Sequence, residues 1–284
     1  MANPYEECGV GACSSASLAS KIGTLPSVIQ AILFDLDETL IYDEAVCDHA
    51  FKICALSVTS DAAAASSLAR SAAAHARRLW QTLPSPALEY ANRIGHSAFE
   101  GLWALYEPSI PSEMLLESVI EEYRLQTWSA ALEEAGVRGD PAKLAALWSA
   151  MRSRYPLYSD ADELLVQLKK RFKVGIVTNG VQRLQRRKLE GCGLKHWFDA
   201  TAISGEVGIG KPERGIFDWV AGQLNVPLED CVMVGDNAAR DVQGGINAGI
   251  RTVYIERGFK PRTATPTLEV KSLLEILPWL ESQA

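Results

Sequence analysis

From Ser159 onward the sequence alternates between segments of helical period and short apolar runs. Helices are predicted over 159–171, 181–190, 213–224 and 238–248, with strands over 173–178, 200–204, 231–235 and 251–255. Strands separated by helices cannot pair as hairpins. They lie parallel, and the helices cover both faces of the sheet. One more apolar run, 29–35, lies far upstream, so the sheet is assembled from both sides of the segment between. In an open parallel sheet, ligands bind beyond the carboxyl ends of the strands.

The intervening stretch, residues 46–155, is rich in Ala, Leu and Trp and carries no strand signal, which predicts an all-helical domain. Asp61 caps a helix running to Trp80, Ser112 opens another that stops before Gly136, and Asp140 precedes Pro141 at a first helical position. Residues 1–27 have small side chains and no sustained period, and read as a loose tail. The expected organisation is therefore a tail (1–27), an α/β core (28–45 and 156–284) and a helical insert (46–155).

The chemistry-bearing residues fall at the predicted strand ends. Asp35 and Asp37 are two residues apart in an extended chain and share one face. Two carboxylates held together are costly unless a cation or a shared proton separates their roles. Thr178-Asn179-Gly180 ends the second strand, Lys211-Pro212 follows the third, and Gly235-Asp236-Asn237 with Asp241 follows the fourth. Each alone reads as a turn or a solvated loop. Their convergence on one sheet edge is what points to a site.

In this order, Asp35-x-Asp37-x-Thr39, Thr178-Asn179-Gly180, Lys211-Pro212 and Asp236 through Asp241, the chain resembles the haloacid dehalogenase (HAD) superfamily of phosphatases. The resemblance implies a Rossmann-like core in which Asp35 attacks phosphorus and Asp37 acts as general acid and base. It makes Asp35, the backbone carbonyl of Asp37, Asp236 and Asp241 the holders of a magnesium ion. Thr178, Asn179, Gly180 and Lys211 become the phosphate contacts. Magnesium suits such a set of oxygen ligands, since phosphate oxygens and carboxylates repel without a hard cation. A halide leaving group needs no acid, so the presence of Asp37 favours phosphate ester hydrolysis over dehalogenation. A phosphosugar mutase uses the same pair of carboxylates, and a non-catalytic phosphate-ligand binder would keep only the fold.

The position of the insert resembles that of helical caps that fold over the site and contact the rest of the substrate. Arg124 and Trp128, four apart on one helix, are candidate substrate contacts. This Arg-x-x-x-Trp, with 230–236 and 241–249, looks like N-acylneuraminate-9-phosphatases, whereas 204–212 is similar to pyrimidine 5′-nucleotidases. The expected partner is a small phosphorylated metabolite.

A formal charge of −7 argues against a broad nucleic-acid surface or an anionic membrane. No apolar run approaches the roughly 20 residues needed to span a bilayer, and the first residues lack a basic signal region, so a cytoplasmic location is expected. Six scattered cysteines read as reduced thiols, and His49, His75, His96 and His196 as structural or surface residues. The run Arg183, Arg186, Arg187 and Lys188 reads as a solvated helix face.

Overall fold

A computed structural model describes residues 28–152, 154–258 and 260–283. The expected tail, with Cys8 and Cys13, lies outside the described residues. Six parallel strands form one sheet: β1 (Ala31–Phe34), β2 (Lys173–Thr178), β3 (Ala200–Ile203), β4 (Cys231–Gly235), β5 (Arg251–Ile255) and β6 (Leu268–Val270). Their spatial order is β3-β2-β1-β4-β5-β6, so β1 is central although β2 follows it by more than a hundred residues. Alternate residues of β1 enter different cores: Ile32 and Phe34 join the larger one, Ala31 and Leu33 the other. Burial on both faces explains the unbroken apolar runs of these strands.

Between β1 and β2 lie α1 (Glu44–Leu56), α2 (Ala62–Trp80), α3 (Ser85–Ile94), α4 (Ala98–Gly101), α5 (Glu113–Ala135) and α6 (Pro141–Met151). The chain after them adds α7 (Ser159–Leu168), α8 (Gln182–Gly191), α9 (Ser204–Val207), α10 (Arg214–Leu224), α11 (Gln243–Ala248) and α12 (Ile276–Ser282). Asp61 and Asp140 cap α2 and α6 through their carboxylates, whereas the Ser112 hydroxyl caps nothing. The segment predicted as one helix over 238–248 is divided: a π-helical turn, Ala238–Val242, precedes α11. Strand β6 and helix α12 have no counterpart in the sequence reading. No helix among the described residues is long and apolar enough to cross a membrane.

The chain enters and leaves the insert at one place. Ile41 bridges antiparallel to Leu157, Tyr42 N donates to Pro156 O at 2.9 Å, and Tyr158 N donates to Leu40 O at 2.9 Å. The Tyr42 and Tyr158 rings lie 3.7 Å apart, and the Arg257 guanidinium sits 3.7 Å over Tyr158. Glu38, in the left-handed region at φ 62°, closes the turn after β1. Its carboxylate accepts from Asp43 N, Glu44 N and the Tyr158 hydroxyl at 2.6, 2.5 and 2.7 Å.

The insert packs back onto the core through polar contacts. Ser204 Oγ donates to Ile94 O at 2.5 Å, Arg183 Nη1 to Tyr106 O at 3.0 Å, and Gln182 N to Glu113 Oε1 at 3.2 Å.

Candidate active site

At the carboxyl edge of the sheet, Asp35, Asp37, Thr178, Asn179, Lys211 and Asp241 line one cleft of about 140 Å³. Asp35 continues the ladder beyond β1, its N–H donating to Val234 O at 2.9 Å. The Thr39 hydroxyl lies 3.5 Å from Asp35 Oδ2 and accepts from Asp236 N at 3.1 Å, which ties the first loop to the end of β4. Lys211 Nζ lies 2.6 Å from Asp35 Oδ1 and 2.7 Å from Asp241 Oδ1. Burial works against the Lys211 ammonium, but Asp241 and Asp35 hold its pKa above the usual lysine value.

Oxygens of Asp35, Asp236 and Asp241 lie within 4.8 Å of one another, and all three residues are buried. Burial, with repulsion from Asp35 and Asp241, pushes the Asp236 carboxyl up to about 8 despite the pull of Lys260. Lys260 Nζ meets Asp236 Oδ2 at 2.7 Å, whereas Asp236 Oδ1 is buried without a hydrogen-bond partner. Three converging carboxylates, one with an unpartnered oxygen, form the all-oxygen donor set that a hard divalent cation takes. Burial also raises Asp37, up to about 7, against the pull of Lys188 and with repulsion from Asp43, Glu100 and Asp35 adding to it. The Asp37 side chain keeps 23% of its surface open toward the cleft.

The structure bears on three sequence expectations, the first only by adding partners to the phosphate turn. The Asn179 amide is engaged by the backbone: Nδ2 donates to Lys211 O at 2.9 Å, and Oδ1 accepts from Lys211 N at 2.8 Å. Gly180 N likewise donates to Ser204 Oγ at 2.8 Å. Both residues of the phosphate turn are therefore tied to neighbouring loops, Asn179 through its side chain and Gly180 through its N–H.

The second is a correction and concerns the insert. Trp128 is completely buried, with its ring 5.9 Å from that of Phe51. Arg124 donates to Gly101 O at 3.0 Å and Ala104 O at 2.6 Å. Neither lines the cleft, and the insert residues that do are Gly95, Ser97 and Glu100. Spacing on α5 identified one helix face, but that face turns toward the inside of the insert.

The third is Lys188. Arg183, Arg186 and Arg187 are exposed as expected, whereas the Lys188 side chain is fully enclosed and its ammonium lies 2.8 Å from Asp37. Its place one turn after Leu184 and beside Leu189, both buried, was the available signal.

The sequence profile of haloacid dehalogenase-like hydrolases matches residues 29–249. The chain belongs to this family. Among HAD relatives, a phosphoserine phosphatase of Thermus thermophilus is 38% identical over 252 residues, covering 87% of this chain and 98% of its own length. An N-acylneuraminate-9-phosphatase of Rattus norvegicus is 37% identical over 172 residues, 57% of this chain and 69% of its own. A pyrimidine 5′-nucleotidase of Escherichia coli is 35% identical over 179 residues, 62% and 76% of the two chains. Among solved structures, an L-2-haloacid dehalogenase superposes with a TM-score of 0.60 at 17% identity, covering 89% of this chain and 99% of that one. At that identity the likeness is one of fold, and it confirms the Rossmann-like HAD core.

Proposed function

We propose that this HAD hydrolase is a magnesium-dependent phosphatase that cleaves a small phosphomonoester through an aspartyl-phosphate on Asp35. The observation that carries this reading is the pairing of two unlike carboxylates at one strand end. Asp35 is bound by Lys211, and Asp37 sits raised toward neutrality two residues away. A phosphatase of this kind needs a carboxylate placed to attack phosphorus and a carboxyl that can deliver a proton near neutral pH.

In the first step an Asp35 oxygen bonds to phosphorus as the ester P–O bond breaks, and Asp37 gives its proton to the departing alkoxide. In the second, Asp37 takes a proton from a water whose oxygen attacks phosphorus, and the Asp35–phosphorus bond breaks to release phosphate. Lys211 orients Asp35 and offsets phosphate charge, while Thr178 lies at the cleft wall to contact phosphate oxygens. Asp35, Asp236 and Asp241 would hold magnesium, which when bound offsets the charge that builds on the phosphoryl oxygens.

The cleft supports a compact, polar substrate. At about 140 Å³ it falls below the roughly 300–1,000 Å³ of pockets for drug-sized ligands. Among the described residues no aromatic side chain lines it, which gives a nucleobase no stacking surface on those walls. A phosphorylated hydroxy amino acid fits these limits and is the substrate named for the Thermus thermophilus relative; a phosphosugar of the N-acylneuraminate type is the second class.

The test is phosphate release from O-phosphoserine, N-acetylneuraminate 9-phosphate and pyrimidine monophosphates, with magnesium and with chelator, for parent and Asp35→Asn. O-phosphoserine should give the highest kcat/KM. A variant retaining more than about a tenth of parent activity, with deamidation excluded, would refute covalent catalysis.

A further inference from the structure

Lys188 is a buried cation that the roles above leave unexplained. Its ammonium lies 2.9 and 2.8 Å from the two Asp37 oxygens, 3.1 Å from Glu100 Oε1 and 3.6 Å from Asp43 Oδ1. These partners come from different parts of the molecule: the loop after β1, helix α4 within the insert, and the first crossing into the insert. Lys188 itself belongs to α8 of the core.

Glu100 is fixed from several sides. It forms a capping box with Ser97, Gln185 Nε2 donates to its Oε1 at 2.8 Å, and His96 Nδ1 lies 3.4 Å from its Oε2. Gln185 also donates to Asn179 O at 2.9 Å, so α8 grips both the phosphate turn and the insert.

Resting on the reading of Asp37 as general acid, we propose that Lys188 and Glu100 are positioning residues through which docking of the insert sets the orientation of the Asp37 carboxyl. Contact with both oxygens holds the direction in which that carboxyl points. A lysine stem is flexible, however, and its ammonium holds one place only when it is anchored a second time. Glu100 supplies that anchor from the insert, so the acid is aligned when the insert is seated. A purely structural ion cluster would instead affect every substrate alike, and buried pairs by themselves are weak contributors to stability.

Lys188→Met would leave three carboxylates facing one another and is expected to destabilise the fold, so Glu100→Gln carries the test. The amide keeps the shape and an acceptor oxygen but loses the charge. The full-length protein with magnesium is assayed by single turnover on an alkyl phosphate and on 4-nitrophenyl phosphate, whose leaving group needs little acid help. The variants are Glu100→Gln, Asp37→Asn and the double variant, each checked for folding by circular dichroism.

Glu100→Gln should slow the alkyl substrate about tenfold more than the aryl substrate, a loss of the size that follows slight misplacement of a catalytic group. KM should hold, and the extra loss should vanish in the Asp37→Asn background. Equal loss on both substrates, loss on neither, or a loss that persists in the double variant would overturn the positioning role. If Asp37→Asn itself slows both substrates equally, the general-acid reading falls first, and the inference falls with it.

Discussion

Asn179→Ala should destabilise the protein and disable the site together, because the Asn179 side chain works as a rung between two loops. Its amide gives one hydrogen bond to the Lys211 carbonyl and takes one from the Lys211 N–H, at 2.9 and 2.8 Å. Asn179 is 7% exposed and Lys211 5%, so truncation leaves a peptide donor and acceptor short of partners. Each such group costs about 1–3 kcal/mol when it stays dry. Water can reach this position from the cleft, which places the total near the low end, about 2 kcal/mol.

At about 2–4 °C per kcal/mol for a chain of this size, the melting temperature should fall by about 6 °C. Lys211 carries its ammonium to Asp35, so kcat/KM should fall at least about tenfold, equivalent to 1.4 kcal/mol. Asn179→Asp should be worse than alanine in activity. It keeps the acceptor for Lys211 N, but it sets a second oxygen against Lys211 O and adds negative charge to a cleft already rich in carboxylates. Thermal melts and steady-state kinetics on the three proteins decide the matter. A melting temperature within 1 °C of the parent for Asn179→Ala would refute the rung.

Further expectations follow from single features. Trp128→Ala should cost about 3–5 kcal/mol in urea unfolding with no change in the ranking of substrates, since the ring fills the interior of the insert. Arg124→Ala should lose about 1–2 kcal/mol by freeing two carbonyls, again without altering preference; a switch in preference for either would restore them as substrate contacts. Asp160 accepts from Leu273 N, Ser272 Oγ and Arg257 Nη2; burial opposes its ionised form, but these bonds hold its carboxyl below the usual range. A lowered folded-state pKa contributes stability that is present above the unfolded value near 3.9 and is lost as pH falls through the folded value. The stability gap between parent and Asp160→Asn should accordingly be widest near pH 7 and should close below about pH 4, as read by urea unfolding; a gap independent of pH would contradict this. Excess chelator should abolish phosphate release and magnesium should restore it, whereas full activity in chelator would exclude the carboxylate triad as a metal site.

The strands were legible because burial on both faces leaves unbroken apolar runs such as Ile32-Leu33-Phe34 and Val232-Met233-Val234. Strand β6 escaped notice because its three residues, Leu268-Glu269-Val270, sit at the sheet edge with Glu269 exposed, and no run forms. The carboxylates and Lys211 could be found because strand ends locate them. What those groups lean on was hidden: Glu100 is separated from Lys188 by 88 positions, and no local period connects them. Trp128 misled for a related reason, since helical spacing pairs side chains without saying which way the shared face turns.

The lacing of Tyr42 to Pro156 and of Leu40 to Tyr158 sets the kind of motion open to the helical insert. A body tethered at opposite ends can only flex, but one whose two tethers run side by side as a short ribbon has a single doorway and one easy axis of rotation. Turning about that axis would move Gly95, Ser97 and Glu100 together, and only by breaking the bonds that Gln185 and Lys188 make to Glu100. The same doorway makes the insert a self-contained excursion of the chain.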